Sequence, residues 1–241
     1  MSNPYDDAAF FAAYAQMPRS QHGLNGAGEW PDFAALLPDL HGLRVLDLGC
    51  GYGWQCRYAI EHGAKSVLGI DSSKRMLAEA KRRNAAPGIT YASGDLTTYV
   101  QPNAAYELVI SSLAFHYVPD LNDLLRRIAG MLTPGGQVLF TIEHPVFTAE
   151  GHEQWVQTTQ GQTVWPVAHY FDEGLRDTTF LKHQVPKYHH TMATIVNSLL
   201  NNGLTVTGMA EPRGSAQDIA DHAPWTQAPE MLIVRGEKMA R

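Results

Sequence analysis

The fold is decided by one stretch of the sequence, Val45-Leu46-Asp47-Leu48-Gly49-Cys50-Gly51-Tyr52-Gly53. Its first residues are apolar apart from Asp47, a pattern that predicts the end of a buried strand. The three glycines alternate with other residues. Because a glycine carries no Cβ, a glycine-rich turn between a strand and a helix lets the backbone pass close to a ligand. The stretch therefore predicts a strand–loop–helix unit with a ligand at its loop.

Strands and helices alternate outward from this unit. Strands are expected at Arg44–Leu48, Ser66–Asp71, Ile89–Ser93, Glu107–Ser111, Gln137–Glu143, Leu204–Met209 and Met231–Arg235. Helices are expected from about Trp54 to His62, from Ser72 or Ser73 to about Asn84, over Leu121–Leu132 and over Thr191–Asn202, with a turn at Pro134-Gly135-Gly136. This alternation predicts an α/β fold of three layers, in which helices cover both faces of a mostly parallel, seven-stranded sheet.

Composition excludes some classes of function. The chain has 241 residues, of which 44% are hydrophobic and 17% charged, so it can bury a sizeable core. Its formal net charge is −6, and its longest basic run is Lys81-Arg82-Arg83 on a predicted amphipathic helix. A nucleic-acid binder usually carries a broader basic surface. We therefore expect no nucleic-acid partner.

The cysteines and the N-terminal segment indicate in which cellular compartment the protein is expected. Cys50 and Cys56 are the two cysteines, too few for a disulfide framework and consistent with a reducing compartment. Asp6 and Asp7 precede a short apolar run, where a signal peptide would need positive charge. No apolar stretch is long enough to cross a bilayer. We expect a cytoplasmic protein with no membrane partner.

Asp47 discriminates between two classes of ligand. The glycines follow the spacing G-x-G-x-G rather than G-x-G-x-x-G, and Asp47 stands two residues before the first of them. An anionic pyrophosphate would be repelled by this carboxylate, whereas an ammonium group or a sulfonium would be attracted. A nicotinamide oxidoreductase, which also needs an acid after the second strand, remains the alternative.

The motif Asp47-x-Gly49-x-Gly51-x-Gly53 resembles the first motif of class I S-adenosylmethionine-dependent methyltransferases, and four further landmarks of that family follow in order. They are Asp71, similar to the acid that binds both ribose hydroxyls; Gly94-Asp95-Leu96, similar to the segment that reads adenine; Ser111 to Tyr117, similar to the fourth motif; and Leu132 to Gly136, similar to the turn before strand five. The resemblance is strong over residues 40 to 143. It implies a Rossmann-like fold, S-adenosylmethionine as cofactor and methyl transfer.

The resemblance also implies a set of cofactor-binding residues. They are Tyr14, Arg19, Asp47, Gly49, Cys50, Gly51, Asp71, Ser72, Met76, Gly94, Asp95, Leu96, Ser111 and Ser112. Tyr14 and Arg19 enter because a helix before the sheet often supplies an aromatic and a basic residue near the methionine carboxylate. Two simpler explanations stay open: Asp71 can cap the following helix, and Asp95 can be a turn residue. A non-catalytic cofactor-binding protein, or another transferase that uses this cofactor, is the alternative function.

Four side chains are candidates for proton transfer: His116, His144, Tyr188 and His189. Methyl transfer chiefly requires alignment of the reactants and exclusion of water, so a base is needed only for an alcohol, a phenol or a protonated amine. Simple packing at the start of a helix is an equal alternative for His116. No carboxylate stands at ligand spacing from these histidines, so we expect no metal.

The sequence after Glu143 shows less regular periodicity of apolar residues than the rest of the chain. We divide the chain into an N-terminal cap (1–40), a methyltransferase domain (41–143 and 190–241) and an inserted substrate cap (144–189) between strand five and the last helix. The insertion is rich in aromatic residues, namely Trp155, Trp165, Tyr170 and Phe171. They suit a lid over a flat or apolar small-molecule acceptor with an oxygen or nitrogen nucleophile. A separate small core or a dimer contact stays possible, and both monomer and homodimer remain open.

Overall fold

The computed structural model describes residues 3–213 and 228–239. Its strands are β1 (Arg44–Leu48), β2 (Ser66–Asp71), β3 (Ile89–Ser93), β4 (Tyr106–Ser112), β5 (Leu132–Glu143), β6 (Val156–Gln157), β7 (Thr163–Val164), β8 (Gly174–Phe180), β9 (His183–His189), β10 (Leu204–Ala210) and β11 (Met231–Lys238). The segments 214–227 and 240–241, which belong to the C-terminal part of the predicted methyltransferase domain, lie outside the described residues, as do residues 1–2 of the N-terminal cap.

Eight α-helices accompany these strands in the described part of the chain. They are α1 (Ala8–Tyr14), α2 (Pro18–His22), α3 (Trp30–Ala35), α4 (Trp54–Glu61), α5 (Lys74–Asn84), α6 (Leu121–Met131), α7 (Pro145–Thr148) and α8 (Met192–Leu200). Side-chain caps fix several of their starts: the Ser73 hydroxyl accepts from the Met76 N–H, and the Thr191 hydroxyl from the Thr194 N–H. Within the described ranges, no helix has the length and apolar character needed to cross a membrane.

Seven strands form one sheet in the order β10-β11-β5-β4-β1-β2-β3. The pairs from β3 to β5 are parallel, whereas β11 runs antiparallel to both β5 and β10. The predicted mostly parallel, seven-stranded α/β sheet is confirmed. Because the parallel strands share one direction, their carboxyl ends meet at one edge, which is where open α/β sheets bind ligands.

Alternation along β1 assigns its side chains to the two faces of the sheet. Leu46 and Leu48 pack in the apolar layer that contains α6 and α8, whereas Val45 packs in the layer that contains α4 and α5. Side chains in a strand point to opposite faces with a period of two residues. Asp47 therefore shares the face of Val45 and lies beneath α4, with 1% of its surface exposed.

Two regions depart from the predicted local structure. The predicted turn at Pro134-Gly135-Gly136 lies inside β5, whose pairing with β4 jumps from Tyr106↔Leu132 to Leu108↔Gln137. The extra residues form a bulge, which Gly135 accommodates with φ +75°.

The insertion between β5 and α8 also has regular structure, because β8 and β9 form an antiparallel hairpin. Two of the three buried positions of β9 are the polar residues Lys187 and His189, so the hairpin carries little of the apolar periodicity on which prediction from sequence relies.

The loop after β1 reverses the chain at left-handed glycines. Gly49, Gly51 and Gly53 have φ values of +77°, +51° and +76°. A Cβ on Gly49 would overlap with the Cβ of Ala114, and a Cβ on Gly53 would overlap with the Tyr91 hydroxyl. The positive φ and the missing Cβ are therefore both required at these two positions.

We predict that Gly49→Ala destabilises the protein more than Gly42→Ala. Both glycines have φ +77°, but a Cβ on Gly42 meets no atom within 4 Å. Gly42→Ala should therefore cost only the left-handed strain, about 1 kcal/mol, whereas Gly49→Ala adds overpacking of about 1–3 kcal/mol. Urea unfolding of the two variants measures the difference. Equal losses would contradict the close approach of Gly49 to Ala114.

Candidate functional site

A cleft opens where β1 and β4 end, and residues of the N-terminal segment close its other side. Its lining is Tyr14, Arg19, Ser20, Leu24, Ala27, Glu29, Trp30, Asp47, Gly49, Cys50, Gly51, Tyr52, Trp54, Gln55 and Ser112. The cleft thus brings the glycine loop together with side chains of the N-terminal segment and with Ser112, all distant from the loop in the sequence. Seven of the predicted cofactor residues are in this lining: Tyr14, Arg19, Asp47, Gly49, Cys50, Gly51 and Ser112.

The cleft holds charges of both signs. The Arg19 guanidinium forms an ion pair with Glu29 and donates a hydrogen bond to the Ser112 hydroxyl at 3.2 Å. The Glu29 side chain is 3% exposed and Asp47 is 1% exposed. The Arg19 guanidinium, which is 22% exposed, and two buried acids of the same cleft lining complement a zwitterion, because the guanidinium can meet a carboxylate and the two acids can meet an ammonium group.

Four polar atoms on the cleft wall lack a hydrogen-bond partner among the described residues. They are Ser20 Oγ, Glu29 Oε2, Tyr52 OH and Trp54 Nε1. A buried polar group without a partner costs about 1–3 kcal/mol. Because these atoms gather around one cleft, a polar ligand is the simplest source of their missing bonds. The donor set thus fits the amino-acid end of S-adenosylmethionine.

Asp47 forms no ion pair with a cation in the part of the chain that the structure describes. Its Oδ2 accepts a hydrogen bond from the Cys56 Sγ at 3.1 Å. Burial raises the pKa of Asp47 to about 7, and the negative charge of Asp71 contributes in the same direction. Near neutral pH this side chain can therefore hold a proton or release it when a cationic ligand arrives.

Asp71 organises the rim of the site at the end of β2. Its two carboxylate oxygens accept hydrogen bonds from the N–H groups of Gly51 at 2.9 Å and Ser73 at 2.8 Å. Burial raises its pKa. The N-cap of α5 is Ser73 rather than Asp71, so the bond from Ser73 is not the cap that the sequence also allowed, and the bond from Gly51 ties Asp71 to the glycine loop. Each oxygen retains a lone pair that a ligand hydroxyl can use.

The N-terminal segment covers this rim. Asn3 donates to the Ser72 hydroxyl at 2.9 Å, and the Ser73 hydroxyl donates to the Asp6 carboxylate at 2.7 Å. Met76 is buried below them on α5. Ser72 and Met76 are therefore near the predicted ribose position, although neither lines the cleft described above.

The predicted adenine segment follows β3. Gly94 donates its N–H to the Asp71 carbonyl at 3.1 Å, and the exposed Asp95 side chain accepts from the N–H and the hydroxyl of Thr97. Leu96 packs at the edge of the core. Ser111, by contrast, is fully buried and donates to the Leu48 carbonyl at 2.6 Å. Asp95 thus has the turn role that was open from the sequence, and its role toward a ligand stays a prediction.

The two histidines at the ends of β4 and β5 do not line the cleft. His116 is 2% exposed, its Nδ1 accepts from the Glu143 N–H at 3.5 Å, and burial holds its pKa well below the ordinary value. His144 caps α7 through its Nδ1, and its Nε2 lies 3.1 Å from Glu211. Burial lowers its pKa too. Their assignment as catalytic residues stays a prediction.

Tyr188 and His189 are the last residues of β9. Both ring nitrogens of His189 are engaged, Nδ1 with the Thr148 hydroxyl at 2.7 Å and Nε2 with the Tyr170 carbonyl at 2.9 Å. Burial lowers its pKa, so the ring is neutral at pH 7. Tyr188 is half-buried beside it. Over residues 3–213 and 228–239, no group of three or more histidine, cysteine or acidic side chains is arranged to hold a metal ion.

Sequence reasoning missed several polar residues of this region. Glu29 faces Arg19 across the cleft, and Tyr5 donates or accepts a hydrogen bond with Tyr117 between their hydroxyls at 2.9 Å. Lys187 on β9 is buried against Glu143. No motif marks these positions. The available signal was a charged residue or a tyrosine that stands next to apolar residues in the sequence. Such a signal does not identify the partner of the side chain.

Comparison with known proteins shows which proteins this chain resembles. Residues 45–136 match a family model described as "Methyltransferase domain". A solved S-adenosylmethionine-dependent methyltransferase from Mesorhizobium loti is 39% identical, with a TM-score of 0.83 over 90% of this chain and 100% of the other. An uncharacterized protein of Haemophilus influenzae is 32% identical over 98% of this chain and 97% of its own.

Similarity to relatives with a named acceptor is more restricted. A trans-aconitate 2-methyltransferase of Rhizobium etli is 31% identical over 60% of this chain. The match spans 55% of that relative, so the two chains share about half of its length. The match therefore does not identify the acceptor of this chain.

The buried carboxyl group of Asp47 predicts a dependence of stability on pH. Between the ordinary aspartate pKa and about 7, the folded protein keeps a proton that the unfolded chain has released. The free energy of unfolding should therefore fall as pH rises through this window, by up to about 1.4 kcal/mol per pH unit. Asp47→Asn should flatten this part of the profile.

Chemical denaturation from pH 4 to pH 8 measures both proteins. Asp177→Asn is the matched control, because Asp177 is an exposed carboxylate on β8. Its profile should follow that of the wild type. A profile of Asp47→Asn as steep as the wild type's would show that Asp47 does not hold the proton.

Proposed function

This chain belongs to the S-adenosylmethionine-dependent methyltransferases, and from that premise we propose that it transfers the methyl group to an oxygen or nitrogen atom of a small-molecule acceptor. It is an enzyme, and its cofactor is S-adenosylmethionine. The observation that carries the proposal is the cleft beside the glycine loop, with its half-buried Arg19, two buried acids and four polar atoms that lack a partner among the described residues.

The amino-acid end of the cofactor is proposed to bind inside this cleft. Arg19 would meet the carboxylate, since its guanidinium reaches Ser112 at the end of β4 and still has donors to offer. Glu29 Oε2 and Asp47 would accept from the ammonium group. In this arrangement each charge of the zwitterion has an opposite charge, and the unpartnered Glu29 oxygen gains a donor.

The nucleoside end is proposed to bind along the rim. Asp71 would accept from the ribose hydroxyls with the lone pairs that Gly51 and Ser73 leave free. Gly94, Asp95 and Leu96 would flank the adenine. The segment around Asn3 and Asp6 lies over Ser72 and Ser73, so it would cover the ribose and exclude water.

When bound, S-adenosylmethionine supplies an electrophilic methyl group on a positively charged sulfur. The protein's task is then to hold the acceptor in line with that methyl group in a dry site. The aromatic residues Tyr5, Tyr14 and Tyr117 form such surroundings, with ring centroids of Tyr5 and its two neighbours 5.5 Å and 6.1 Å apart.

The names of relatives also support a small acceptor. The Rhizobium etli protein is named for trans-aconitate, a small carboxylic acid. Its similarity is confined to about half of its length. The identity of the acceptor of this chain therefore depends on its own residues beyond the cofactor domain.

Two variants separate the two ends of the proposed cofactor site. We predict that Arg19→Gln weakens binding of S-adenosylmethionine by about 1.5–3 kcal/mol and leaves 5′-methylthioadenosine unaffected, because the latter has no amino-acid group. Asp71→Ala should weaken both ligands by about 2–4 kcal/mol, since both contain the ribose. Isothermal titration calorimetry measures the four affinities.

Asp177→Ala serves as the control, because its exposed carboxylate on β8 belongs to the hairpin rather than to the rim. Thermal unfolding confirms that each variant is folded. Equal losses of both ligands in Arg19→Gln would contradict the assignment of Arg19 to the carboxylate. Unchanged affinity in Asp71→Ala would contradict the ribose assignment.

Transfer itself is tested with methyl-labelled S-adenosylmethionine and a metabolite extract. We expect label in a low-molecular-mass product that passes a 3 kDa filter. Boiled enzyme is the control. Cofactor binding without labelled product, or label retained with macromolecules, would contradict the proposed small-molecule methylation.

A further inference from the structure

A buried charge cluster lies where β5 and β9 meet, outside the cofactor cleft. Lys187 Nζ donates to Glu143 Oε1 at 2.6 Å and to the two oxygens of Glu153 at 3.0 and 3.1 Å. The exposed fractions of the three side chains are 3%, 14% and 10%. A buried ion cluster is costly to desolvate and is a weak source of stability, so its presence here calls for another reason.

The contacts of Lys187 leave it no capacity to bind a ligand. An ammonium group has three N–H donors, and three carboxylate oxygens already accept from it. The Phe180 ring covers it at 5.6 Å from Nζ. Lys187 therefore acts inside the cluster, where it attracts negative charge to Glu143 and Glu153.

Glu143 has one oxygen left over. Its Oε2 is buried, and no N–H or hydroxyl group of the described residues donates to it, although the Glu153 carboxyl hydrogen-bonds to Glu143 when it holds a proton. His116 lies on the other side, with Nε2 4.0 Å from Glu143 Oε1 and Nδ1 accepting the Glu143 N–H. The cluster is thus fixed from both sides and presents an acceptor atom rather than a donor.

Three tyrosines connect this cluster to the cofactor cleft. Tyr14 lines the cleft, and its ring lies 5.5 Å from that of Tyr5. The Tyr5 hydroxyl bonds to that of Tyr117, whose ring contacts His116 with centroids 4.3 Å apart. Glu143 and Ser112 also end neighbouring strands, β5 and β4. The cleft and the cluster are therefore two ends of one region.

We propose that Glu143 is the general base of the reaction, held by Lys187 and His116, and that the acceptor is an amine or a hydroxyl compound rather than a carboxylate. This inference rests on the proposed function. An acceptor N–H or O–H would donate to Glu143 Oε2 and satisfy the unpartnered oxygen. A carboxylate acceptor would instead bring a third negative charge to a cluster whose cation is already saturated.

The proton and electron balance is simple. A lone pair of the acceptor forms the new bond to the methyl carbon, and the electron pair of the broken carbon–sulfur bond stays on sulfur. The acceptor's proton moves to Glu143 Oε2, which becomes a neutral carboxyl group. No other reactant is needed. Glu153 and Lys187 keep the base in place and tune its charge.

The proton affinity of the cluster suits this role near neutral pH. Burial raises the pKa of Glu143, and burial together with the charge of Glu143 raises the pKa of Glu153 to about 7. The groups that face Glu143 are Lys187 on β9, Glu153 after α7, His116 and Tyr117 after β4, and Tyr5 in the N-terminal segment. Below pH 7 a proton held by the two glutamates would block the base.

The first experiment determines the class of the acceptor. Product labelled from methyl-labelled S-adenosylmethionine and a metabolite extract is treated with mild alkali, which releases methanol from methyl esters but leaves N-methyl and O-alkyl groups intact. We expect the label to remain non-volatile. Volatile labelled methanol would overturn the inference and leave methyl transfer standing. Absence of any transfer would overturn the proposed function itself, and the inference with it.

The second experiment tests the base with the purified acceptor. Glu143→Gln should lower kcat by at least about 100-fold and abolish the acidic limb of the kcat/KM profile. Calorimetry of the acceptor with the S-adenosylhomocysteine complex should show a weakened Kd. Lys187→Gln, which removes the cation that favours ionised Glu143, should move the acidic limb to higher pH.

Glu150→Gln is the matched control, because Glu150 lies in the same segment as Glu153 but bonds to the His152 N–H instead of the cluster. Its kcat and pH profile should equal those of the wild type. Thermal unfolding of each variant separates loss of fold from loss of base. A folded Glu143→Gln enzyme with kcat within threefold of the wild type, or with its acidic limb intact, would overturn the proposal.

Discussion

The left-handed turn of the chain after β1 is the constraint on which the rest of the site depends. At Gly49 and Gly53 the backbone approaches Ala114 and Tyr91 so closely that a Cβ would overlap with them. This turn sets α4 over β1 and thereby buries Asp47 against Cys56. It also brings the Gly51 N–H to the Asp71 carboxylate. The loop thus fixes two acids at once through backbone geometry.

Buried carboxyl groups are the common chemical feature of both ends of the proposed active region. Asp47 and Glu29 lie at the cofactor end, and Glu143 and Glu153 lie at the acceptor end. Burial raises the pKa values of Asp47 and Glu153 to about 7, so small changes in nearby charge can move a proton on or off them. A cationic cofactor at one end and a proton-donating acceptor at the other would each find such a group.

The succession of strands along the chain and most of their bounds could be predicted from the sequence, because buried parallel strands are short apolar runs separated by glycine and polar turns. Ser66–Asp71 and Ile89–Ser93 agree with the structure residue for residue. The β8–β9 hairpin could not be predicted, since the buried positions of β9 include the polar residues Lys187 and His189. Within the cleft, Asp47 and the glycines had a motif, whereas Glu29 and its pairing with Arg19 had none.

The sequence by itself determined the family resemblance, the cofactor and the glycine loop, because these depend on residues close together in the chain and on spacing that backbone geometry dictates. Only the tertiary structure decided which polar groups meet. Lys187 reaches Glu143 across 44 residues, and Tyr5 reaches Tyr117 across 112. Such contacts arise from the packing of distant elements, which no local pattern encodes. The loop that fixed the fold therefore leaves the acceptor to be chosen by residues far from it.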